Sequence, residues 1–221
     1  MLKASLSEQV YEIMRGRIVS GKAPPGERID VRKLAEEFHI SQTPVRFALN
    51  RLHDTGLVEN RPRIGYFVIK VSEKDLIDTY DLRELFEVYA LKSAVQNLDI
   101  SVWQALKRKM LQIYALKKKD EQRKLFYETD ENLHLTIVEG SDNRKARELF
   151  MQIYDGIRVS FFMGTQWEES LKVHLSILDA LIEKDAKRAT TLLRDHIRDS
   201  KKSAVRQIKS KSADTELSKQ S

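Results

Sequence analysis

Residues 27–69, ERIDVRKLAEEFHISQTPVRFALNRLHDTGLVENRPRIGYFVI, decide how the first third of this chain folds. Leu34, Ala35 and Phe38 recur at helical spacing, and Val45, Ala48, Leu49 and Leu52 form a second apolar stripe of the same period. Ser41 is suited to cap the second helix, and Pro44 is tolerated in its first turn, where N–H groups have no intrahelical partner. Gly56 ends that helix. Leu57-Val58 and Tyr66-Phe67-Val68-Ile69 then read as two strands paired around Arg-Pro-Arg-Ile-Gly. A helix, a tight turn, a second helix and a hairpin wing make a shape suited to reading DNA.

Sorting the second helix by face strengthens that expectation. With the apolar stripe turned inward, Gln42, Thr43, Arg46 and Asn50 project outward. An α-helix fits the major groove, where Arg pairs with guanine O6 and N7 and Gln with adenine N6 and N7. Arg61 and Arg63 fall at the hairpin tip, within reach of phosphate or a minor groove, and Gly65 lets the wing backbone approach closely. One recognition helix reads few bases, so the expected partner is a near-palindromic double-stranded DNA bound by a homodimer. The bland alternative is a helical hairpin with a solvated basic face.

The stretch resembles the winged-helix domain of the GntR family of bacterial transcription regulators. The resemblance is carried by Pro25-Gly26, Leu34-Ala35, Ile40-Ser41-Gln42-Thr43-Pro44-Val45-Arg46-Phe47-Ala48-Leu49, Gly56-Leu57-Val58 and Gly65-Tyr66-Phe67-Val68. By position it implies DNA contacts from Arg32, Gln42, Thr43, Arg46 and Gly65, to which the wing-tip reading adds Arg63. Two positions depart from the pattern. Gln42 stands where Arg is usual, so an adenine contact replaces a guanine contact. Phe47 stands where Glu is usual, and either packs on the wing or touches a thymine methyl.

The whole chain has 221 residues, enough for two domains, and no cysteine, which excludes disulfides and thiolate metal sites. Its first residues lack the apolar run of a signal peptide, and no later stretch is long enough to span a bilayer, so a soluble, cytoplasmic protein with no membrane partner is expected. The formal charge of +6 is uneven: residues 1–71 carry +4, residues 72–200 carry −2, and residues 201–221 carry +4. A basic head on a nearly neutral middle suits a DNA-binding module joined to a domain with other work. The expected division is a winged helix-turn-helix over 1–71, an all-α bundle over 72–207 and a disordered polar tail over 208–221.

From residue 72 onward the period is helical throughout, with at least six helices and almost no strand signal. Three of the five histidines fall in this part. Asp130 and His134 lie four apart on one helix face, while His174 and His196 fall on later helices. Three imidazoles and a carboxylate suit a divalent first-row ion such as zinc, nickel, iron or manganese. Scattered surface or core histidines are the alternative. Ligation needs deprotonated imidazole, so affinity is expected to fall below the ordinary His value of about 6.5.

The bundle resembles the FCD effector domain of the FadR-type branch of the same family. Asp130 and His134 match its Asp-x3-His, His174 sits in Val173-His174-Leu175-Ser176-Ile177-Leu178-Asp179-Ala180-Leu181, and His196 matches its final His. The resemblance implies one metal ion held by Asp130, His134, His174 and His196, and a small carboxylate effector completing its coordination. Arg83 matches an Arg on the first bundle helix. Asn143 matches a Gly-Asn turn in which Asp142 replaces the Gly. Arg83, with Arg158 as a second candidate, would grip the effector, since Arg pairs with carboxylates in bidentate fashion. Two alternatives stay open: the ion is itself the signal or purely structural, or the bundle is a metal-dependent hydrolase with Glu128 or Glu131 as general base.

Overall fold

The computed structural model describes residues 5–161 and 167–217, giving backbone alone for Val19, 155–161 and 211–217. Two compact units emerge: Met1–Ser72 with Gln152–Phe162, and Glu73–Met151 with Met163–Ser221.

The first unit begins with α1 (Leu6–Val19), capped by the Ser5 hydroxyl accepting from the Glu8 N–H. It continues through β1 (Arg28–Ile29), α2 (Val31–Glu37), α3 (Gln42–Asp54), β2 (Val58–Arg61) and β3 (Gly65–Val68). Asp30 caps α2 through the Arg32 and Lys33 N–H groups. Ser41 does occupy the N-cap position of α3, in extended backbone, but its hydroxyl makes no capping bond. The α3 stripe of Val45, Ala48, Leu49 and Leu52 is fully enclosed by Val10, Met14 and Ile18 of α1 and by Leu57, Val58 and Val68. Burial of each large aliphatic side chain there is worth roughly 1.5–3 kcal/mol. The wing is a hairpin, with Val58 opposite Val68 and Arg61 opposite Gly65. β1 joins its outer edge in the antiparallel order β1-β3-β2. That third strand is too short to show as alternation in the sequence.

The second unit is helical among the described residues: α4 (Glu73–Asn97), α5 (Ile100–Tyr114), α6 (Lys119–Glu139), the first part of α7 (Arg144–Phe161), α8 (Trp167–Ile182) and α9 (Ala186–Leu217). Asp99 caps α5 through the Ser101 N–H. α4 and α6 approach closely where Gly140 follows α6, since a Cβ there would lie 2.7 Å from the Ala94 Cβ and 2.9 Å from its Cα. The latter half of α7 belongs to the first unit, which nothing in the sequence pattern signals. α9 runs on to Leu217 where a disordered tail was expected from 208. The reason is local: no Gly or Pro interrupts residues 186–217, and Lys, Ala, Gln and Glu all favour helix. No described helix is long and apolar enough to cross a membrane.

Candidate functional site

In the first unit, α3 turns Gln42, Thr43, Arg46, Phe47 and Asn50 to solvent. Gln42, Arg46, Arg63 and Gly65 line one open groove of about 840 Å³ together with Arg28, Arg32, Lys33 and Arg61. Thr43 is exposed but not on that groove's wall. Among the described residues, Gln42, Thr43, Arg46 and Arg63 make no side-chain hydrogen bond or ion pair, so their donors are uncommitted. Other basic groups are engaged. Arg61 pairs with Glu59 at 2.8 Å and lies over the Phe67 ring at 4.2 Å, and Arg32 touches Glu36 at 3.2 Å. Arg28 donates to the Ile64 carbonyl at the wing tip.

Two outward residues gain detail from the structure. The Tyr66 hydroxyl donates to Asn50 Oδ1 at 2.7 Å, so Asn50 ties the wing to α3. Phe47 is 66% exposed. At the tip, Pro62 is followed by Arg63 at φ 66°, and the Ile64 N–H closes on the Arg61 carbonyl. Proline then a positive φ is the type II pattern, which an Arg adopts only under strain. Arg63 is exposed at that turn.

In the second unit, α6 supplies Asp130 and His134, α8 supplies His174 and α9 supplies His196, and all four side chains are buried. One ligand atom from each lies within 4.8 Å of all the others. His174 Nε2 is 2.9 Å from His196 Nε2 and 3.4 Å from Asp130 Oδ1, and His134 Nε2 is 3.8 Å from the same oxygen. With metal–ligand bonds of about 2.1 Å, neighbouring donors fall roughly 3.0 Å apart at right angles and about 3.4 Å apart at the tetrahedral angle. The donor set fits a divalent ion in type, and the 2.9 and 3.4 Å pairs match those spacings while the 3.8 Å pair is wider. Phe126, one turn before Asp130, stacks on the His174 ring at 5.5 Å and closes that side.

The electrostatics favour neutral imidazoles at His174 and His196. Burial, with neighbouring imidazoles and Arg83 adding to it, pushes His174 and His196 well below the ordinary value of 6.5. Burial also raises the Asp130 carboxyl, against the pull of His134 and Arg83.

Sequence reasoning missed one member of this cluster. Glu87 of α4 is wholly buried, accepting from Arg83 Nε through Oε1 at 2.7 Å and meeting His134 Nδ1 through Oε2 at 2.5 Å. Burial alone would raise its carboxyl, but Arg83 and His134 outweigh that and hold it at about 2. The available signal was its position one helical turn after Arg83.

Of the two expected effector residues, Arg83 is beside the cluster and Asn143 is not placed to serve it. Arg83 is 1% exposed, and its charge acts on Asp130, His174 and His196. Asn143 is exposed, its Oδ1 accepts from the Ala146 N–H at the start of α7, and its amide donates to the Tyr89 hydroxyl. It caps a helix. The Arg158 side chain lies outside the described residues. Glu128 is exposed and Glu131 partly so.

Residues 6–68 match the family described as "Bacterial regulatory proteins, gntR family", and residues 78–199 match the FCD domain. The chain belongs to the GntR family, in its FCD branch. It is a DNA-binding transcription regulator and not an enzyme, which removes the hydrolase alternative. It is 27% identical over 214 residues to the HTH-type transcriptional repressor RspR of Escherichia coli, covering 95% of this chain and 92% of that one. A GntR transcriptional regulator of Rhodococcus sp. RHA1 has the same fold, with TM-score 0.77, 21% identity, and 91% and 98% of the two chains covered. The Zn2+-bound FCD domain of TM0439 superposes with TM-score 0.55 at 19% identity, over 63% of this chain and 97% of that one.

Proposed function

We propose that this regulator holds one divalent transition ion on Asp130, His134, His174 and His196, and that a small carboxylate meeting that ion sets its affinity for the operator. The observation that carries the reading is the convergence of three Nε2 atoms and one carboxylate oxygen in a buried cluster drawn from α6, α8 and α9. The Zn2+-bound form of the TM0439 FCD domain supports it by analogy of fold. Four protein donors leave room in a five- or six-coordinate shell, and an anion there meets both the ion and the fixed positive charge of Arg83. Such a ligand acts by preferring one arrangement of the protein over another.

DNA recognition falls to Gln42, Thr43, Arg46, Arg63 and Gly65, with Arg32 holding the backbone. The support is the exposure and uncommitted donors of Gln42, Thr43, Arg46 and Arg63, with Arg32 and Gly65 lining the same groove as Gln42, Arg46 and Arg63. We assign the protein to a homodimer on a near-palindromic operator, working in the cytoplasm. α4 leaves Leu82, Leu85 and Tyr89 exposed at helical spacing, and Leu149 is exposed on α7, which meets α4 through the Phe86–Phe150 ring contact. A contiguous apolar face of this kind suits a second copy of the chain.

Elemental analysis of the purified protein, with thermal melts before and after chelation, tests the metal. Stripping the ion is expected to lower the melting temperature and adding zinc, nickel or manganese to restore it, with no such response in His134→Ala, His174→Ala or His196→Ala. Identical melts of the parent with chelator and with metal would overturn the reading. Operator titrations with and without small carboxylates separate effector sensing from a purely structural ion: an unchanged operator affinity with every acid favours the latter.

A further inference from the structure

We propose that Glu87 is the positioning residue of the metal centre, fixing which nitrogen of His134 faces the ion, with Arg83 holding Glu87 in that task. The inference rests on the metal reading above. A carboxylate only accepts hydrogen bonds, so the contact of Glu87 Oε2 with His134 Nδ1 at 2.5 Å requires the ring proton to sit on Nδ1. The lone pair is then on Nε2, the atom turned toward Asp130 Oδ1. A ligating histidine whose second nitrogen donates to a carboxylate is held in tautomer and orientation together. Among the described residues, His134 is the one cluster imidazole anchored to a carboxylate outside the donor set. The buried Nδ1 of His174 has no hydrogen-bond partner.

Arg83 decides what Glu87 can do. Its Nε donates to Glu87 Oε1 at 2.7 Å, and both side chains are enclosed, at 1% and 0% exposure. In Glu87→Gln the isosteric amide must satisfy two demands at once. Arg83 is a donor only, so the amide oxygen turns to it and the NH2 turns to His134. Nδ1 must then accept, the proton moves to Nε2, and an N–H points at the place of the ion. Adding Arg83→Met removes the competing donor, lets the amide rotate, and leaves the cluster with the parent's net charge.

The test uses full-length protein. Ring-nitrogen NMR of the metal-free form reads the His134 tautomer, and zinc titration reads affinity, with thermal melts alongside to show that each variant is folded. The parent is expected to be Nδ1-protonated. Glu87→Gln is expected to be Nε2-protonated and to bind zinc tenfold to a hundredfold more weakly. The double variant is expected to regain the Nδ1 tautomer and most of the affinity, which loss of packing alone would not allow. A Glu87→Gln protein with the parent's tautomer and zinc affinity overturns the proposal, as does a double variant as weak as the single one. A parent that takes up no zinc overturns the metal reading and this inference with it.

Discussion

At α3 the residues that matter are those whose polar atoms have nothing else to do. Arg46 is exposed and uncommitted, so Arg46→Ala is expected to weaken operator binding by about 1–3 kcal/mol and relax sequence preference, as loss of a base-pairing Arg does. Gel-shift titration checks it, and equal affinity for parent and variant would end the base-reading role. Two neighbours should mark the recognised sequence itself. Gln42→Arg is expected to move one half-site position toward guanine. Phe47, at 66% exposure on the same face, is expected to read a thymine methyl, so Phe47→Ala should flatten one thymine position in an in vitro selection. Unchanged selected sequences would send both side chains back to phosphate or solvent. The sequence showed which residues face outward. It did not show that Asn50 is taken by the Tyr66 hydroxyl, because that bond joins α3 to a strand beyond the turn.

Among the elements, α4 has two faces with separate work. Its buried face carries Ala94 against Gly140, and Gly140→Ala would force a Cβ into the Ala94 Cα and Cβ. The expected cost is about 1–3 kcal/mol, read as a lower denaturant midpoint at unchanged slope. Its exposed face carries Leu82, Leu85 and Tyr89. Leu85→Lys is expected to shift the protein toward monomer in sedimentation while leaving each chain folded, and an unmoved dimer would place the interface elsewhere. Helical period made the segment that forms α4 readable as helix. Its outer apolar stripe was not readable as such, because a long helix with apolar residues on several sides gives no clean periodic signal.

On the scale of the whole molecule, acid should act in two windows. His174 and His196 have lowered values, so below about 6.5 the unfolded chain takes up protons that the folded chain refuses, and the metal-free protein loses stability as pH falls. Glu87, held at about 2 from an ordinary 4.5, adds stability that is present above 4.5 and lost as pH falls toward 2. The same lowering bears on the ion. Protons compete for His174 and His196 only well below 6.5, so the part of zinc affinity these two ligands set should hold nearly level down to pH 6.5 and weaken only well beneath it. Calorimetric titration across that range checks the sign, and a steep loss above pH 6.5 would contradict it.

Legible in the chain alone was whatever is encoded within a turn or two: the helix-turn-helix and wing, the Asp130–His134 face and the identity of the three imidazoles. Periodicity, turn chemistry and residue type are local, and they need no partner from afar to be read. The tertiary structure alone decided that His174 Nε2 meets His196 Nε2 at 2.9 Å, that Asn143 caps α7, and that Arg83 is committed to Glu87. It also decided that Glu87 meets His134 across 47 residues of chain. Burial is what turns those pairings into chemistry. In water a carboxylate four residues from an arginine is an ordinary surface pair, whereas enclosed beside an imidazole its charge must be satisfied, and that need fixes the partners.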